Sequence, residues 1–290
     1  AAFGATGALG QPHYCPPEAV SNLCPRMLRE HREQFYQTPR MVLVGAGVDH
    51  DEFLALSDRY FSAVPQGTHS ASPAITSPYI GGEKRIQREL AMNSEFCHVS
   101  LAWMTTWENI EDRVPLCVMQ VLLGAVQSFS AGGPGKGMYS RLYREVLNRH
   151  GGVEAAEAHI EASGLFGIMG ACSPEYATEL VYSFASQFAK LCDQDVTEEE
   201  LSRARNMLKC NVLTCLESHH MVFEDIGQQL LCDSTYISPA EVCERIDRVT
   251  AADIRRVATL ALSNGPSIAC IGEDISRVPD HQMIKSWFRI

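Results

Sequence analysis

The sequence lacks the motifs of the common catalytic sites. It contains no His-Glu-x-x-His and no His-x-x-Glu-His, the spacings that place two histidines and a carboxylate around zinc. It also has no Gly-x-Ser-x-Gly turn for a nucleophilic serine and no Walker-type loop for nucleotide phosphates. These absences predict a chain that is not an enzyme by itself and that holds no metal or cofactor.

Positive charge and long apolar runs are also scarce. The chain has 24 Lys and Arg against 35 Asp and Glu, a net charge of −11. Nucleic-acid binding needs clustered Lys and Arg, so we expect no nucleic-acid partner. The longest apolar run, residues 114–126, is shorter than the roughly 20 residues that span a bilayer, so we expect no transmembrane segment. No secretory signal is recognisable at the start of the sequence.

Cysteines are numerous but unpatterned. The eleven cysteines include no Cys-x-x-Cys pair, and many lie on apolar faces of predicted helices or strands. An odd, scattered set in a chain of this size is typical of free thiols in a reducing compartment. We therefore expect no disulfide framework.

What the sequence does contain is a mixture of helix and strand patterns. Residues 96–104 alternate between apolar and polar side chains, as a half-buried strand does. Residues 153–162 and 165–172 predict two strands around a Ser-Gly turn, and residues 267–272 predict a final strand. Between them, residues 114–125 predict a helix buried on most sides. This mixture favours an α+β fold with a mixed, mainly antiparallel sheet covered by helices.

The beginning of the chain predicts a separate region. Residues 17–36 have the pattern of one helix, and Met41–Gly45 is a short apolar run of buried-strand type. Asp49 with Glu52, and later Thr197 with Glu200, are predicted to open helices through capping boxes. Proline, serine and glycine are frequent in 64–83, so we predict a first domain over 1–64, a linker over 65–83 and a second domain over 84–290.

A glycine-rich loop is the most distinctive feature of the second domain. Five glycines lie between Gly124 and Gly137, between two predicted helices. Such a loop adopts unusual φ values cheaply and lets its backbone approach a ligand. Lys136 is followed by glycine where a phosphate-binding loop has Ser or Thr, and the loop follows a helix instead of a strand. The loop is therefore interpreted as a mobile functional loop, with a plain inter-helix connection as the alternative.

Two groups of acidic residues offer weaker candidates. Glu157, His159 and Glu161 would share one face of a strand and could bind a cation, although a solvent-facing sheet surface is the simpler interpretation. The acidic stretches 108–112 and 154–161 could attract a basic peptide, or could simply be solvated.

The loop also carries a family resemblance. Residues 128–142, continuing to 150, resemble the glycine-rich loop and following helix of the alpha subunits of mitochondrial processing peptidases. Thr38–Leu43, Tyr79–Gly82 and Phe223–Gly227 extend the resemblance over nearly the whole chain. These subunits belong to the pitrilysin/insulinase superfamily of metallopeptidases, together with core protein 2 of respiratory complex III.

The resemblance implies a fold and a function. It implies two similar domains, of which this chain would hold the end of the first and the whole second. It implies a subunit without zinc that pairs with a catalytic beta subunit, itself carrying His-x-x-Glu-His, on the matrix side of the mitochondrial inner membrane. Other complex III subunits, basic presequence peptides and a separate polypeptide supplying the rest of the first domain would be its partners. The implied peptide-binding residues are Gly124, Ser128, Phe129, Ser130, Ala131, Gly132, Gly133, Pro134, Gly135, Lys136 and Gly137.

One departure from the family pattern bears on function. Where the family has a run of glycines, this chain has Gly124-Ala-Val-Gln127. The bulkier loop start favours an alternative role as a purely structural core subunit of complex III. A third alternative is an active zinc peptidase whose metal ligands lie outside this sequence.

Overall fold

The chain divides into two compact units. The computed structural model describes residues 1–4, 7–65, 67, 77–88, 95–125, 138–161 and 163–288. The first unit comprises 1–10, 76–209 and 244–290, and the second unit comprises 11–75 and 210–243. These units are defined by packing, whereas the predicted domains 1–64 and 84–290 are defined by likeness to a family. The predicted division therefore stays a prediction.

A five-stranded sheet forms the centre of the first unit. Its strands are β1 (Gly82–Gln87), β2 (Cys97–Met104), β3 (Val153–Ile160), β4 (Leu165–Cys172) and β5 (Pro266–Gly272). Their spatial order is β1-β5-β2-β4-β3. Strand β1 runs parallel to β5, while the other three neighbouring pairs are antiparallel. This sheet confirms the predicted α+β class with a mixed, mainly antiparallel sheet.

Helices account for most of the remaining described chain. In chain order they are α1 (Pro17–Val20), α2 (Pro25–Phe35), α3 (His50–Phe61), α4 (Ile110–Leu123), α5 (Ala177–Asp193), α6 (Glu198–Cys215), α7 (His219–Asp233), α8 (Pro239–Arg248), α9 (Ala251–Ser263) and α10 (His281–Trp287). A π-helical turn, Tyr143–Leu147, and three short 3₁₀ turns, Ala8–Gly10, Thr38–Arg40 and Pro174–Tyr176, complete the described elements.

The core of the first unit lies between one face of the sheet and helices α4, α5 and α9. Alternate residues of β2, ending at Trp103, point into this core and are fully or almost fully buried. The Trp103 ring stacks on Phe188 of α5 with ring centroids 3.8 Å apart and planes 6° apart. Each buried aromatic side chain of this kind contributes about 1.5–3 kcal/mol by leaving water, and a stacked pair adds about 0.5–1.5 kcal/mol. The helix-facing side of the sheet is thus the stable part of the unit.

Several predicted elements agree with the structure. The predicted strands at 96–104, 153–162, 165–172 and 267–272 correspond to β2, β3, β4 and β5, and the predicted buried helix corresponds to α4. The capping box at Thr197 is confirmed, because Thr197 Oγ1 accepts from the Glu200 N–H at 3.2 Å and the Glu200 carboxylate accepts from the Thr197 N–H at 3.2 Å. At the other predicted helix start, Asp49 is the N-cap and accepts from the Glu52 N–H at 3.0 Å, but among the described residues the reciprocal bond of the box is not formed.

Two predicted elements at the beginning of the chain are wrong. The single helix predicted over 17–36 is two helices, because Pro25 begins α2 and forces Cys24 into an extended conformation with ψ 158°. The strand predicted for Met41–Gly45 is irregular chain outside any sheet. A strand needs a neighbour for its hydrogen bonds, and the described residues supply none to this segment. Its side chains are therefore partly exposed, as Leu43 is at 46%.

The second unit exposes much apolar surface. Within the described chain, α1, α2, α3 and α7 have no fully buried residue. The 41–45 segment contacts α7, since a methyl group added at Gly227 would be 3.7 Å from Val44 Cγ2. An apolar groove of about 270 Å³ lies between α7 and the facing ends of α6 and α8. Among the described residues, no helix combines the length and the apolar character needed to cross a bilayer.

Candidate functional site

The predicted peptide-binding loop is described at its two ends. Of the predicted residues, Ser128, Phe129, Ser130, Ala131, Gly132, Gly133, Pro134, Gly135, Lys136 and Gly137 lie outside the described residues. Gly124, the eleventh predicted residue, is described and ends α4 with φ 133° and ψ 91°. This conformation is strained for any residue with a Cβ, so glycine is required there.

Gly124 is held against the edge of the sheet. Its carbonyl oxygen accepts a hydrogen bond from the Ala158 N–H of β3 at 2.7 Å, and the Gln120 side-chain amide donates to the Ala158 carbonyl at 3.1 Å. Ala125 forms a single parallel bridge with Ala158. Both backbone polar groups of Ala158 on this open edge of β3 therefore have partners, and the loop start is fixed on the sheet.

The far end of the loop returns to its start. Ser140 is 9% exposed, and a Cβ placed on Gly124 would lie 2.9 Å from Ser140 Oγ. The two ends of the connection are therefore in direct contact. Next to Ser140, the Arg141 guanidinium donates to both carboxylate oxygens of Glu200 at 3.0 and 3.1 Å. The loop is thus supported on one side by β3 and on the other by the start of α6.

The Arg141–Glu200 pair controls the charge of the Glu200 carboxyl. Partial burial of Glu200 would by itself raise its pKa. The hydrogen bonds and positive charge of Arg141, together with the capping bonds from Thr197, outweigh burial and lower the pKa to about 2. Glu200 is therefore ionised at any physiological pH, and it locks Arg141 in place.

The sheet face opposite the helices is open. Residues of all five strands line a cavity of about 390 Å³ on this face. The lining is mainly small or apolar, and includes Ala155, Met169, Ala269 and Ile271. A cavity of this size is typical of a binding site for an apolar side chain or small ligand. Glu157, Lys84 and His98 add charge or polarity to the lining.

The predicted Glu157–His159–Glu161 group does not gather into a cation site. Within the described chain, no three acidic, histidine or cysteine side chains come close enough to hold a metal. Burial lowers the pKa of His159, which the nearby Glu161 charge only partly offsets, so its ring is neutral at physiological pH. Its Nδ1 is buried without a hydrogen-bond partner, and its ring covers Gly167 of β4. His159 is therefore mainly a packing residue of the open face.

The acidic stretch 108–112 has a partly structural role. Asp112 is 2% exposed and pairs with the Arg256 guanidinium at 2.7 Å, with Thr106 Oγ1 donating to it at 2.5 Å. This residue is unavailable to an external peptide, because removing its partner would leave a buried charge unpaired. Glu108 and Glu111 of the same stretch remain exposed.

The cysteines confirm the prediction of free thiols. All eleven are unpaired, and three of them, Cys97, Cys172 and Cys270, are buried in the sheet. Burial raises the pKa of Cys97 to about 11 and that of Cys172 to about 12. These thiols stay protonated and unreactive at neutral pH, so they serve as small core side chains.

Comparison with known proteins gives a consistent family. Residues 24–208 match the family described as the peptidase M16 inactive domain. The chain is 33% identical over 290 residues to "Probable mitochondrial-processing peptidase subunit alpha-2, chloroplastic/mitochondrial" of Arabidopsis thaliana, covering 99% of this chain and 57% of that protein. It is 32% identical over 292 residues to the human "Mitochondrial-processing peptidase subunit alpha", covering 96% and 55%. The chain thus spans about half the length of these relatives.

A solved structure shows the same fold. A chain of "Complex III2 from Candida albicans, Inz-5 bound" superposes with a TM-score of 0.80 at 17% identity. The match covers 99% of this chain and 67% of that chain. At this level of identity the likeness establishes the fold of the backbone and leaves function to other evidence.

Proposed function

Because this chain belongs to the peptidase M16 inactive-domain family and is itself a non-catalytic, peptidase-like polypeptide, we propose that it is the alpha subunit of a mitochondrial processing peptidase. In this role it binds presequences through the glycine-rich loop, beside a zinc-containing beta subunit that cleaves them. It is also a core subunit of respiratory complex III. Its location is mitochondrial, on the matrix side of the inner membrane.

The observation that carries this proposal is the extent of the relationship. Relatives named as alpha subunits of the processing peptidase are 31–34% identical to this chain, and each match covers at least 90% of it. The matched region includes both loop ends, Gly124 and Ser140, and the strand that holds Gly124. This supports an alpha-type subunit over an unrelated protein that shares the fold.

The open sheet face suits an amphipathic, basic peptide. Its cavity of about 390 Å³ can take apolar side chains, and Glu157 supplies a carboxylate for a basic side chain. The anchored start of the loop lies on β3, the strand that also contributes Ala155 and Glu157 to the cavity. We therefore place the apolar side of the peptide on the sheet and assign the loop residues Gly124 and 128–137 to its other side.

The same proposal accounts for the exposed second unit. The curated relatives are nearly twice as long as the matched region, and the apolar 41–45 segment has no strand neighbour. We assign 1–64 to the end of a first peptidase-like domain, 65–83 to a linker and 84–290 to the second. The remainder of the first domain would come from further sequence or from a separate polypeptide, and its sheet would pair with residues 41–45.

A structural role in complex III is the second candidate. It is favoured by the Gly124-Ala-Val-Gln127 start, which replaces glycines by bulkier residues, and by the fold shared with a complex III chain. In that role the chain would be a scaffold subunit without a peptide ligand. An active peptidase with its zinc ligands outside this sequence is a third outcome, and metal analysis of the purified assembly would reveal it.

Two measurements separate these roles. Native purification from mitochondrial membranes, with mass spectrometry and a presequence-cleavage assay, identifies the partners. We expect a His-x-x-Glu-His subunit and cytochrome subunits to co-elute with cleavage activity. Cytochromes without cleavage would leave the scaffold role, and a soluble beta partner alone would indicate a dedicated processing enzyme.

Peptide binding itself is tested with matched alanine-to-arginine variants of that assembly. Ala269→Arg places a positive charge in the open-face cavity, and we expect at least about a tenfold loss of affinity for a basic amphipathic peptide. Ala252→Arg adds the same side chain on the exposed start of α9, outside the cavity, and should leave binding unchanged. Equal affinities for both variants would refute the open face as the peptide site.

A further inference from the structure

A second, polar cavity lies beside the residues that follow the glycine-rich loop in the sequence. It has a volume of about 210 Å³ and is lined by Arg141, Arg144, Glu145, Gln187, Lys190, Gln194 and Glu200. These residues come from the chain just after the loop, from α5 and its C-terminal end, and from the start of α6. The cavity is separate from the open face, with which it shares no lining residue.

The negative charges of this cavity are already neutralised. Glu200 is held by Arg141 through two hydrogen bonds, and Glu145 pairs with Arg149 at 2.5 Å. Arg144 and Lys190, in contrast, have no side-chain partner among the described residues. Two positive charges therefore remain unpaired at the cavity. They outweigh the partial negative charge of the α5 C-terminus, which is about half a unit.

Gln187 adds neutral hydrogen-bond donors to the cavity. Its side chain lines the cavity, the residue is 5% exposed, and among the described residues its amide forms no hydrogen bond with another side chain or with the backbone. The amide is therefore available to a molecule in the cavity, and an acceptor ligand there could accept from the N–H groups of Gln187 and of Gln194.

The backbone beside the cavity is unusual. Arg144 and Glu145 lie in the π-helical turn, where the Asn148 N–H donates to the Tyr143 carbonyl five residues earlier at 3.0 Å. Such turns are rare and occur often at functional sites. Here the turn directly follows the loop and carries one of the two unpaired cations.

We propose that this cavity binds a phosphate group. Two positive charges match the charge of −1.5 to −2 that a phosphate monoester carries near pH 7, and the glutamine amides supply neutral donors to its oxygens. The volume exceeds that of phosphate alone and leaves room for the group that carries it. The site goes beyond the presequence-binding role and does not depend on it.

The test measures binding of inorganic phosphate to the chain by calorimetry, with chloride of equal ionic strength as the blank. We expect saturable binding with a Kd of about 1 mM or tighter. Arg144→Gln and Lys190→Gln should each weaken binding about three- to tenfold. The matched control Arg248→Gln removes a cation with a 73% exposed side chain outside the cavity and should leave the Kd unchanged.

Gln187→Leu distinguishes a ligand site from a structural network. It removes the unpaired amide while keeping the volume, so we expect weaker phosphate binding with unchanged or greater stability. Loss of stability in this variant, no saturable phosphate binding, or equal weakening by Arg248→Gln would each overturn the proposal. A phosphoserine peptide distinguishes the source: tighter binding than inorganic phosphate supports a phosphorylated polypeptide, and equal binding supports free phosphate.

Discussion

Replacing Gly124 with alanine should disturb the anchor of the loop in a measurable way. Gly124 has φ 133°, and its new Cβ would lie 2.9 Å from Ser140 Oγ. Backbone strain of this kind costs about 1–3 kcal/mol, and the steric overlap adds about 1 kcal/mol. We therefore expect the free energy of unfolding of the first unit to fall by about 2–4 kcal/mol.

The assay can report on the first unit alone. All three tryptophans of the chain, at 103, 107 and 287, belong to that unit, so urea unfolding followed by tryptophan fluorescence is specific for it. Hydrogen exchange of the Ala158 amide is a local readout, because its acceptor is the Gly124 carbonyl. We expect this amide to exchange faster in the variant.

Two further variants separate the causes. Ser140→Ala in the Gly124→Ala background removes the closest oxygen and should recover about 1 kcal/mol, while the backbone strain remains. Gly151→Ala is the matched control, since a Cβ there meets nothing within 4 Å, and its stability should change by less than about 0.5 kcal/mol. The anchor described here would be refuted by a Gly124→Ala variant as stable as Gly151→Ala with unaltered exchange at Ala158.

Three other predictions address the core, the loop support and the thiols. Phe188→Ala removes the partner of the Trp103 stack and should cost about 3–5 kcal/mol in urea unfolding, whereas Tyr182→Ala, on the exposed side of the same helix, should cost about 1 kcal/mol or less. Glu200→Gln should destabilise the chain by about 1–2 kcal/mol at pH 7. The pKa of Glu200 is lowered to about 2 in the folded protein, so its contribution to stability is fully present above the unfolded pKa of about 4.5 and is lost as pH falls towards 2. The urea midpoints of variant and parent should therefore converge between pH 4.5 and pH 2. A difference between the midpoints that does not change with pH would contradict the pairing with Arg141. A thiol reagent at pH 8 should modify the three exposed cysteines rapidly in the native protein and all eleven in denaturant, and fast native labelling of Cys97 would show that the sheet opens easily.

Local sequence patterns correctly predicted the elements in which the order of apolar and polar residues matches the order of buried and exposed positions. Strand β2 alternates because one of its faces is in the core. The N-cap at Asp49 and the capping box at Thr197 use residues only three positions apart to satisfy the first N–H groups of their helices. Strand β1 was missed because Gly82–Gln87 is mostly polar, as suits an edge strand. Met41–Gly45 has a strand pattern but no neighbour in the described chain, so pattern alone misassigned it.

The site was only partly predictable because its contacts join distant parts of the chain. The glycines predicted a special loop, and Gly124 does have a conformation that requires glycine. The contact of Gly124 with β3 and the pairing of Arg141 with Glu200, 59 residues later, depend on tertiary packing. The buried Gln187 gave no signal, because a glutamine in an amphipathic helix is ordinarily exposed.

The position of β5 between β1 and β2 has a consequence for synthesis on the ribosome. Strands β2, β3 and β4 can pair as soon as residue 172 has emerged, but β5 follows nearly one hundred residues later. At 5–20 residues per second, the edge of β2 waits roughly 5–20 s for its partner. During that interval β1 also has no neighbour, because its backbone pairs with β5. The nearby Tyr79 hydroxyl likewise lacks its acceptor, the carbonyl of Gly265, which lies 186 residues later in the chain. The nascent chain therefore presents an open apolar strand edge during this interval, when chaperones have most reason to bind it.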